Sequence, residues 1–458
     1  MNNREKQNYR PKVHFTPPTM WTNDPNGMVY VDGVYHLFYQ HYPDKPNWGP
    51  MHWGHAISRD LISWEHLPIA LYPDELGMAF SGSCVYDVNN TSGLGTKDKP
   101  PMVAIYTSHH RLTAVEHQSI AYSTDFVHFE KSYANPVLHN PGIKDFRDPK
   151  VFWNTVLDCW SMVLAVNDRV NFYCSKDLKE WDKTGEFVIG GNGLYGICEC
   201  PDCFPVETED GTKWILIISM IIDTEDPAQK RHKTQYFIGD FDGNTFLETE
   251  NEKEPLWLNY GTDHYAAVTF QNMDQPVLIG WANNWFYASE VPTDGYCGQM
   301  SIPTQVLLKK TPVGYRAAFQ PLGLEKRKEE LSIIKDQDKL ISQTFGVIVT
   351  GNGPGKVTLF NTLGEELVVR MTEEDITVDR TKADQKSFSE RYGLPEFNSV
   401  TVKRYHKGDY RMEIIFDVSI LEVFAEDGLI PITMSVYPER PYEFIGLEGE
   451  IKAELYMI

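Results

Sequence analysis

Three carboxylic acids stand in short segments that could do chemistry in a cleft. Asp24 and Asp148 each precede a proline at the start of an apolar stretch, and Glu199 lies between two cysteines. Arg147, next to Asp148, would lower the pKa of that acid, whereas burial between thiols would raise the pKa of Glu199. Two ionised carboxylates and one acid near neutrality are what hydrolysis of a glycosidic bond needs, with a nucleophile or stabiliser on one side and a proton donor on the other.

Each segment alone also has a structural interpretation. Asp24-Pro25 and Asn26-Gly27 are strong turn formers, so their segment is typical of a turn before a strand. Arg147 and Asp148 could form a structural ion pair, and Glu199 could be salt-bridged or part of a cap. The catalytic interpretation rests on the three acids taken together.

Large aromatic residues accompany these segments. Such side chains could stack on sugar rings, although a tryptophan alone is more typical of a core. The aromatic candidates are Trp21, Trp48, Trp53, Phe80 and Trp281.

Charge excludes several classes of partner. The 458 residues include 42 Lys and Arg against 64 Asp and Glu, a formal net charge of -22. A field of that sign repels phosphate backbones and anionic lipid surfaces, so we expect no nucleic-acid or membrane partner.

The cysteines and the first residues bear on compartment. Seven cysteines at scattered positions are typical of reduced thiols, and the polar first twelve residues lack the apolar core of a secretion signal, so we expect a cytoplasmic protein. Cys198, Cys200 and Cys203 cluster, but without a second Cys or His pair at ligand spacing they are a poor zinc site.

A repeated pattern sets the expected fold. Ser-x-Asp-apolar-x-x-aromatic places aspartates at 60, 125 and 177, and a degenerate copy places one at 242. Each copy follows an alternating strand and predicts a hairpin turn capped by Asp. All-β units recurring at about 60 residues favour a five-bladed β-propeller, since a WD40 array repeats at about 40 to 45 residues.

Composition changes after residue 310. A charged stretch from Pro321 to Leu331 predicts a short helix, and strand-like segments follow it to the end of the chain. We therefore predict an all-β chain: a propeller catalytic domain over 1–312, a linker with a short helix over 313–335, and a C-terminal β-sandwich over 336–458.

Five ordered blocks carry a family resemblance. Asn23 to Gly27, Phe38 to Gln40, Phe80 to Ser83, Phe146 to Lys150 and Glu199 to Pro201 closely resemble the signature blocks of the glycoside hydrolase family 32 β-fructosidases. This family includes invertases, sucrose-6-phosphate hydrolases, levanases and inulinases. Asp379-Arg380 and the segment 417–424 look like its C-terminal sandwich blocks, so the resemblance spans the chain.

The resemblance implies a retaining double displacement without metal or organic cofactor. The residue matching Asp24 attacks the anomeric carbon of a β-D-fructofuranosyl unit, the one matching Glu199 protonates the departing oxygen and later activates water, and the one matching Asp148 holds fructosyl hydroxyls. Positions that shape the fructose subsite in relatives match Asn23, Gln40, Trp48, Ser81 and Arg147.

The expected activity is exo-acting hydrolysis of sucrose and short fructo-oligosaccharides. The block 281–285, Trp-Ala-Asn-Asn-Trp, looks like that of exo-inulinases and levanases. The alternatives are a sucrose-6-phosphate hydrolase, which needs a cationic pocket, a non-catalytic fructan-binding propeller, and the related five-bladed enzymes acting on arabinan and xylan. Thr22, Ala282 and His264 depart from the usual family pattern without removing an acid. The preferred substrate and the oligomeric state, a homodimer included, stay open.

Overall fold

The computed structural model describes residues 9–189, 196–222, 231–249 and 254–458. It contains 57% strand and 3% helix, and it forms a five-bladed β-propeller with a C-terminal sheet-rich domain, which confirms the predicted fold class. No helix of the described residues is both long and apolar enough to cross a bilayer. The chain divides into two compact units, one over Met20–Leu258 with Tyr265–Trp281 and the other over the remaining residues.

The first unit holds the blades. Its strands form the antiparallel sheets β1–β4, β5–β8, β9–β12 and β13–β16, with β17 beside β15, and the hairpin β18–β19. The bounds of blades one and two are β1 Met20–Val31, β2 Val34–Tyr42, β3 His52–Ser58, β4 Trp64–Leu71, β5 Met78–Tyr86, β6 Met102–His109, β7 Glu116–Ser123 and β8 Glu130–Lys131. Those of the rest are β9 Phe146–Asn154, β10 Cys159–Val166, β11 Arg169–Ser175, β12 Asp182–Val188, β13 Ile197–Thr208, β14 Gly211–Ile222, β15 Arg231–Phe241, β16 Phe246–Glu248, β17 Leu256–Trp257, β18 Tyr265–Thr269 and β19 Val277–Trp281.

Five inner strands close a ring within this unit. β1 contacts β5 and β18, β9 contacts β5 and β13, and β13 contacts β18. Each inner strand is covered by neighbouring blades, so its side chains are buried over nearly its whole length. Residues far apart in sequence therefore meet where the inner strands begin.

The repeated aspartates cap the outer hairpins, as predicted. Oδ1 of Asp60, Asp125, Asp177 and Asp242 accepts hydrogen bonds from the backbone N–H groups two and three residues later. These turns join the third and fourth strands of four successive blades. The Asp supplies the acceptor that a tight turn lacks in its own backbone.

Buried polar side chains tie the inner strands together. Lys150 Nζ on β9 lies 3.0 Å from Asp202 Oδ2 on β13 and donates to the carbonyl oxygen of Thr269 on β18. Asp202 Oδ2 also accepts from the backbone N–H and the hydroxyl of Thr269 at 2.7 Å. Three strands thus share one buried ion pair, which fixes their register at the ring.

The second unit contains the sheet-rich domain. Its elements are β20 Tyr296–Cys297, β21 Thr304–Thr311, β22 Gly314–Pro321, β23 Ser332–Ile334, β24 Gln337–Lys339, β25 Thr344–Phe360, β26 Glu366–Met371, β27 Asp375–Lys382, β28 Ser399–Lys403, β29 Tyr410–Asp417, β30 Ile420–Ala425, β31 Ile430–Ser435, β32 Phe444–Met457, the helix α1 Pro395–Asn398 and two 3-10 helices, Ala288–Glu290 and Glu325–Glu329. The first half of β25 pairs with β29 and the second half with β26, while β32 pairs with both halves. Side chains from the two halves enclose one apolar core.

The predicted short helix is a 3-10 helix of five residues, none of them buried. Pro321 ends β22, and the positive φ of Gly323 turns the chain immediately before the helix. An entirely charged segment has no apolar face to pack, so tertiary contacts do not extend it. The rest of the predicted linker contains β22 and β23.

An ion triad ties the segment 9–19 to the sheets of its own unit. Nδ1 of His14 lies 2.9 Å from Asp417 Oδ2, and its Nε2 lies 3.0 Å from Glu422 Oε2. The His14 side chain is fully buried, and the two carboxylates raise its pKa to about 9 against the effect of burial. The ring is therefore charged in the folded protein at neutral pH.

Candidate active site

Every inner strand is bulged where a candidate residue lies. The registers of β1, β5, β9, β13 and β18 shift at Thr22/Pro25, Ala79/Gly82, Arg147/Lys150, Glu199/Asp202 and Tyr265/Val268. A bulge leaves residues off the hydrogen-bond ladder and re-aims their side chains, and it accepts a proline without losing a ladder bond. The turn predicted around Asp24 is therefore wrong, because this segment is a bulged strand.

Asp24 is held by three donors. Its Oδ1 accepts from Asn23 Nδ2 at 3.0 Å, and its Oδ2 accepts from the Ser81 hydroxyl at 2.6 Å and lies 3.6 Å from the Cys200 thiol sulfur. Trp21 Nε1 donates to Asn23 Oδ1 at 2.7 Å and so orients the Asn23 amide. Burial raises the pKa of Asp24, and the hydrogen bonds from Ser81 and Asn23 oppose that rise.

Asp148 lies on the other side of the same thiol. Its Oδ2 accepts from the backbone N–H of Cys200 at 2.9 Å and lies 3.6 Å from the Cys200 sulfur. The residue has a φ of 62°, and its backbone N–H donates to Thr107 Oγ1 at 3.0 Å. Positive φ in a non-glycine residue is strained and is held by the surrounding structure.

Glu199 faces a cation and a phenol. Its Oε1 accepts from Arg147 Nη2 at 3.0 Å, and its Oε2 accepts from the Tyr265 hydroxyl at 2.6 Å. The Glu199 side chain is 18% exposed. The prediction of a desolvated Glu199 between thiols is therefore wrong about its surroundings, because the carboxylate is partly exposed and its oxygens bond to Arg147 and Tyr265.

Arg147 pairs differently from the sequence expectation. Besides Glu199, its Nη1 contacts Asp145 at 2.6 Å and Glu116 at 3.3 Å. Arg147 still lowers the pKa of Asp148, but burial outweighs it and raises that pKa to about 8. The acid whose pKa lies near neutral pH is thus Asp148, whereas the sequence interpretation predicted an ionised carboxylate at this position.

The predicted substrate-binding residues fall into two groups. Asn23, Ser81 and Arg147 lie on the inner strands β1, β5 and β9. Gln40 lies on β2, and its Nε2 donates to the Ala79 carbonyl oxygen at 3.1 Å. Among the aromatic candidates, Trp48 is 44% exposed and its ring centroid lies 6.3 Å from that of the half-buried Phe80.

The other aromatic candidates belong to the core. Trp21, Trp53 and Trp281 have no exposed surface. Trp281 packs against Trp21 with ring centroids 6.1 Å apart. The prediction that Trp281 stacks on a sugar is therefore wrong, since its indole has no face open to a ligand.

Two site residues were missed by the sequence interpretation. Cys200 was considered only as part of a thiol cluster and of the block from Glu199 to Pro201, and Tyr265 was only the neighbour of His264, which departs from the family pattern. The sequence signal lay in these two segments, but the partners of both residues lie on other strands. Cys198 and Cys203 instead pack in the apolar core between blades. Among the described residues, no group of three or more His, Cys, Asp or Glu could hold a metal ion.

Comparisons with known proteins support the family and the fold. The glycosyl hydrolases family 32 N-terminal domain matches residues 14–318, and the family 32 C-terminal domain matches residues 309–453. A levanase of Bacillus subtilis is 39% identical over 98% of this chain and 70% of its own length.

Solved structures give the same result. An exo-inulinase of Aspergillus awamori superposes with a TM-score of 0.89 at 30% identity, covering 100% of this chain and 99% of its own. A fructofuranosidase of Schwanniomyces occidentalis complexed with fructosylnystose gives a TM-score of 0.88 at 26% identity, covering 100% and 99%. The two matched domains together span nearly the whole chain. The chain is therefore a glycoside hydrolase and belongs to glycosyl hydrolase family 32.

Proposed function

We propose that the chain is a retaining, exo-acting β-fructofuranosidase that releases terminal β-D-fructofuranosyl residues from sucrose and short fructo-oligosaccharides. The observation that carries this proposal is the meeting of three acids at the bulges of β1, β9 and β13, with the Cys200 sulfur 3.6 Å from both Asp24 and Asp148. The levanase and exo-inulinase relatives support the substrate class.

Asp24 suits the part of nucleophile. Three donors converge on its carboxylate, so the ionised form is stabilised although the group is half-buried. The hydrogen bonds also fix its direction, which a displacement at the anomeric carbon requires. In the proposed reaction Asp24 forms an ester with the fructosyl unit as the leaving oxygen departs.

Glu199 suits the part of acid and base. Its side chain is 18% exposed, so it can exchange protons with a leaving group or with water. Hydrogen bonds from the Tyr265 hydroxyl and Arg147 fix the direction of its two oxygens. Protonation of the departing oxygen and later deprotonation of a water would use the same carboxyl group.

Asp148 suits the binding of fructosyl hydroxyls. It is buried, with a pKa raised to about 8, so below that pH its carboxyl can donate as well as accept a hydrogen bond. A group with both capacities matches a pair of vicinal hydroxyls, which also donate and accept.

Neutral substrates are favoured over phosphorylated ones. The cations beside the acids are already paired: Arg147 with three carboxylates, and Lys150 with Asp202. Binding of a phosphate requires an available cation, either an arginine in bidentate contact or a lysine acting as a point charge. This supports sucrose or kestose over sucrose 6-phosphate.

The test of substrate class is a panel of sucrose, sucrose 6-phosphate, kestose, inulin and levan, with arabinan and xylan as controls. We expect fructose release from sucrose or kestose with kcat/KM at least equal to that for sucrose 6-phosphate. A preference of about 100-fold for the phosphorylated sugar, or roughly 2.7 kcal/mol, would replace the proposal by the phosphorylated-sugar alternative. Absence of all hydrolysis would favour a binding propeller.

The test of roles is Asp24→Asn against Asp32→Asn. Asp32→Asn is the same chemical change in the turn after β1, where the φ of 50° at Asp32 suits Asn equally well. We expect Asp24→Asn to lose turnover by on the order of 10³-fold or more. Asp32→Asn should keep it. Mass spectrometry of enzyme quenched during turnover should find the fructosyl ester on the Asp24 peptide, and an ester on the Asp148 peptide would reverse the assignment.

Retention has its own test. In water containing methanol, a retaining enzyme transfers the fructosyl unit with two inversions, so the methyl fructofuranoside should be the β-anomer. The α-anomer as sole product would show a single displacement.

We also propose a reducing, cytoplasmic location and leave a homodimer as a prediction. All seven cysteines are free thiols, four of them within apolar core clusters or at the site. Fractionation of the native cells and light scattering of the purified protein test the two statements. Recovery outside the cytoplasm, or a monomeric mass, would reject the corresponding one.

A further inference from the structure

A second pocket lies on the propeller unit away from the three acids. It has a volume of 220 Å³. We call it the distal pocket, and it is lined by Val85, Tyr86, Val88, Asn89, Trp153, Trp160, Gln271 and Asn272.

The distal pocket stands at the opposite ends of the strands that carry the site. Ser81 lies five residues before Tyr86 on β5, and Asp148 lies five residues before Trp153 on β9. At about 3.3 Å per residue, five residues of strand separate the two positions by about 16 Å. A sugar bound in one place cannot touch the other, so the distal pocket is not an outer subsite of the acids.

A rigid aromatic surface forms one wall. Trp153 is 37% exposed, and its ring lies 5.0 Å from that of Trp160 at an interplanar angle of 82°. Trp160 is fixed by a hydrogen bond from its Nε1 to Thr91 Oγ1 at 2.8 Å. The exposed Trp153 ring thus packs against a second indole that is itself fixed, and aromatic surface of this kind beside a pocket is typical of ligand sites.

Three carboxamide side chains also line the pocket, those of Asn89, Gln271 and Asn272. Asn272 Nδ2 donates to the Tyr30 carbonyl oxygen at 2.7 Å, which anchors that amide. The side chains of Asn89 and Gln271 make no hydrogen bond to other described residues, so their donors and acceptors are open to a ligand. Carboxamides offer both donors and acceptors, as hydroxyl groups do.

The lining carries no formal charge, although the chain as a whole has a net charge of -22. A phosphate, a carboxylate or a basic peptide would gain little in such a pocket. A neutral ring with hydroxyls on its edges and an apolar face fits both the indole and the amides. At 220 Å³ the pocket is below the roughly 300 to 1,000 Å³ of sites for drug-sized ligands, so it suits one ring rather than a folded oligosaccharide.

We propose that the distal pocket binds a neutral saccharide unit without hydrolysing it, and that it thereby holds a long carbohydrate chain on the enzyme. The identification of the carbohydrate as a fructan rests on the proposed function. The inference that the ligand is a neutral saccharide rests on the pocket alone. A second contact on one polymer raises the local concentration of chain ends. The effect should thus appear on polymers and be absent on sucrose.

The direct test is affinity electrophoresis through gels containing levan, inulin or, as a non-fructan, soluble starch. Asp24→Asn serves as the parent protein because it should not consume the polymer. We expect a fructan to retard it, and we expect Trp153→Ala in that background to raise the apparent dissociation constant about tenfold or more. Tyr133→Ala is the matched control, since Tyr133 is fully exposed at another site.

Kinetics give the second readout in the active enzyme. Trp153→Ala and Gln271→Ala should each raise KM for levan or inulin while leaving kcat, and all constants for sucrose, unchanged. Gln271→Ala covers the case in which Trp153→Ala does not fold, because the half-buried Gln271 side chain makes no hydrogen bond to other described residues. The proposal would be overturned if Trp153→Ala did not change the retardation of the Asp24→Asn parent and if neither Trp153→Ala nor Gln271→Ala changed the KM of the active enzyme for levan or inulin.

The outcomes separate the two proposals. Fructan hydrolysis with retardation that does not depend on Trp153 would reject the distal site and leave the proposed function intact. Retardation by starch alone that depends on Trp153, without hydrolysis of any fructan, would support the saccharide site while rejecting the proposed function.

Discussion

Removal of the Ser81 hydroxyl should move the acid limb of the pH profile. Ser81 donates to Asp24 Oδ2 at 2.6 Å and lowers the pKa of Asp24 against the effect of burial. A hydrogen bond to an ionised group contributes about 1.5 to 3 kcal/mol, and one pKa unit corresponds to about 1.36 kcal/mol. Ser81→Ala should therefore raise the apparent pKa of the acid limb by about 1 to 2 units.

The sign follows from which form the bond stabilises. The hydroxyl donates to the carboxylate, so without it the proton is held more tightly and the ionised nucleophile appears only at higher pH. Activity at acid pH should then fall steeply, while the limb at higher pH keeps its position. Because the three acids are coupled, the measured values belong to the group and not to Asp24 alone.

The assay is kcat/KM for sucrose across the pH range, with Ser108→Ala as the matched control. Ser108 is equally buried, but its hydroxyl shares a 2.8 Å hydrogen bond with that of Ser119 and does not contact an acid. A loss of activity at all pH values would report only a missing sugar contact. An acid limb of Ser81→Ala that coincides with that of the wild type would refute the reasoning.

Three further predictions concern stability. Burial raises the pKa of Asp148 from 3.8 to about 8, so the folded protein holds this proton more tightly than the unfolded chain does. The resulting stabilisation is complete below pH 3.8 and is lost as pH rises through 8. Asp148→Asn, which cannot ionise, should therefore melt at a higher temperature than the wild type at pH 8 while losing activity. His14→Gln should lower stability by about 3 to 5 kcal/mol at neutral pH, since two buried carboxylates lose their cation. In the wild type, calorimetry should show the contribution of His14 disappear as pH rises from 6.5 through about 9, and His14→Gln should lack that decline. Lys150→Met should lower the free energy of unfolding by a similar amount in denaturant titrations, because Asp202 remains buried without its cation. An unchanged denaturation midpoint would show that this ion pair contributes nothing to stability.

The architecture was accessible from sequence because its signals are local. Each repeated Asp caps its own turn with bonds two and three residues away, so the pattern carries the hairpin wherever it occurs. The spacing of these turns then set the blade length. The positions of the three acids came from segments in which a family resemblance and the residue chemistry agreed.

The environment of each acid was not accessible in the same way. Arg147 was assigned to Asp148 because the two are adjacent, yet its guanidinium reaches Glu199, 52 residues away. Burial of Asp148 and exposure of Glu199 depend on how the bulges of β9 and β13 aim them. A bulge in an inner strand has no fixed sequence signature, and Asp24-Pro25 looked like a turn for that reason.

The thiol of Cys200 explains how two neighbouring aspartates, Asp24 and Asp148, share one cleft. Repulsion between neighbouring carboxylates makes it costly for both to be ionised. A lysine in place of the cysteine would neutralise both and weaken Asp24 as a nucleophile. Burial and the nearby acids raise the pKa of the Cys200 thiol well above its usual range, so the thiol stays neutral and can donate to either carboxylate. The bulge of β13 thus places beside Asp24 a weak, uncharged donor, and its backbone N–H holds Asp148, which leaves the charge of the nucleophile available for the sugar.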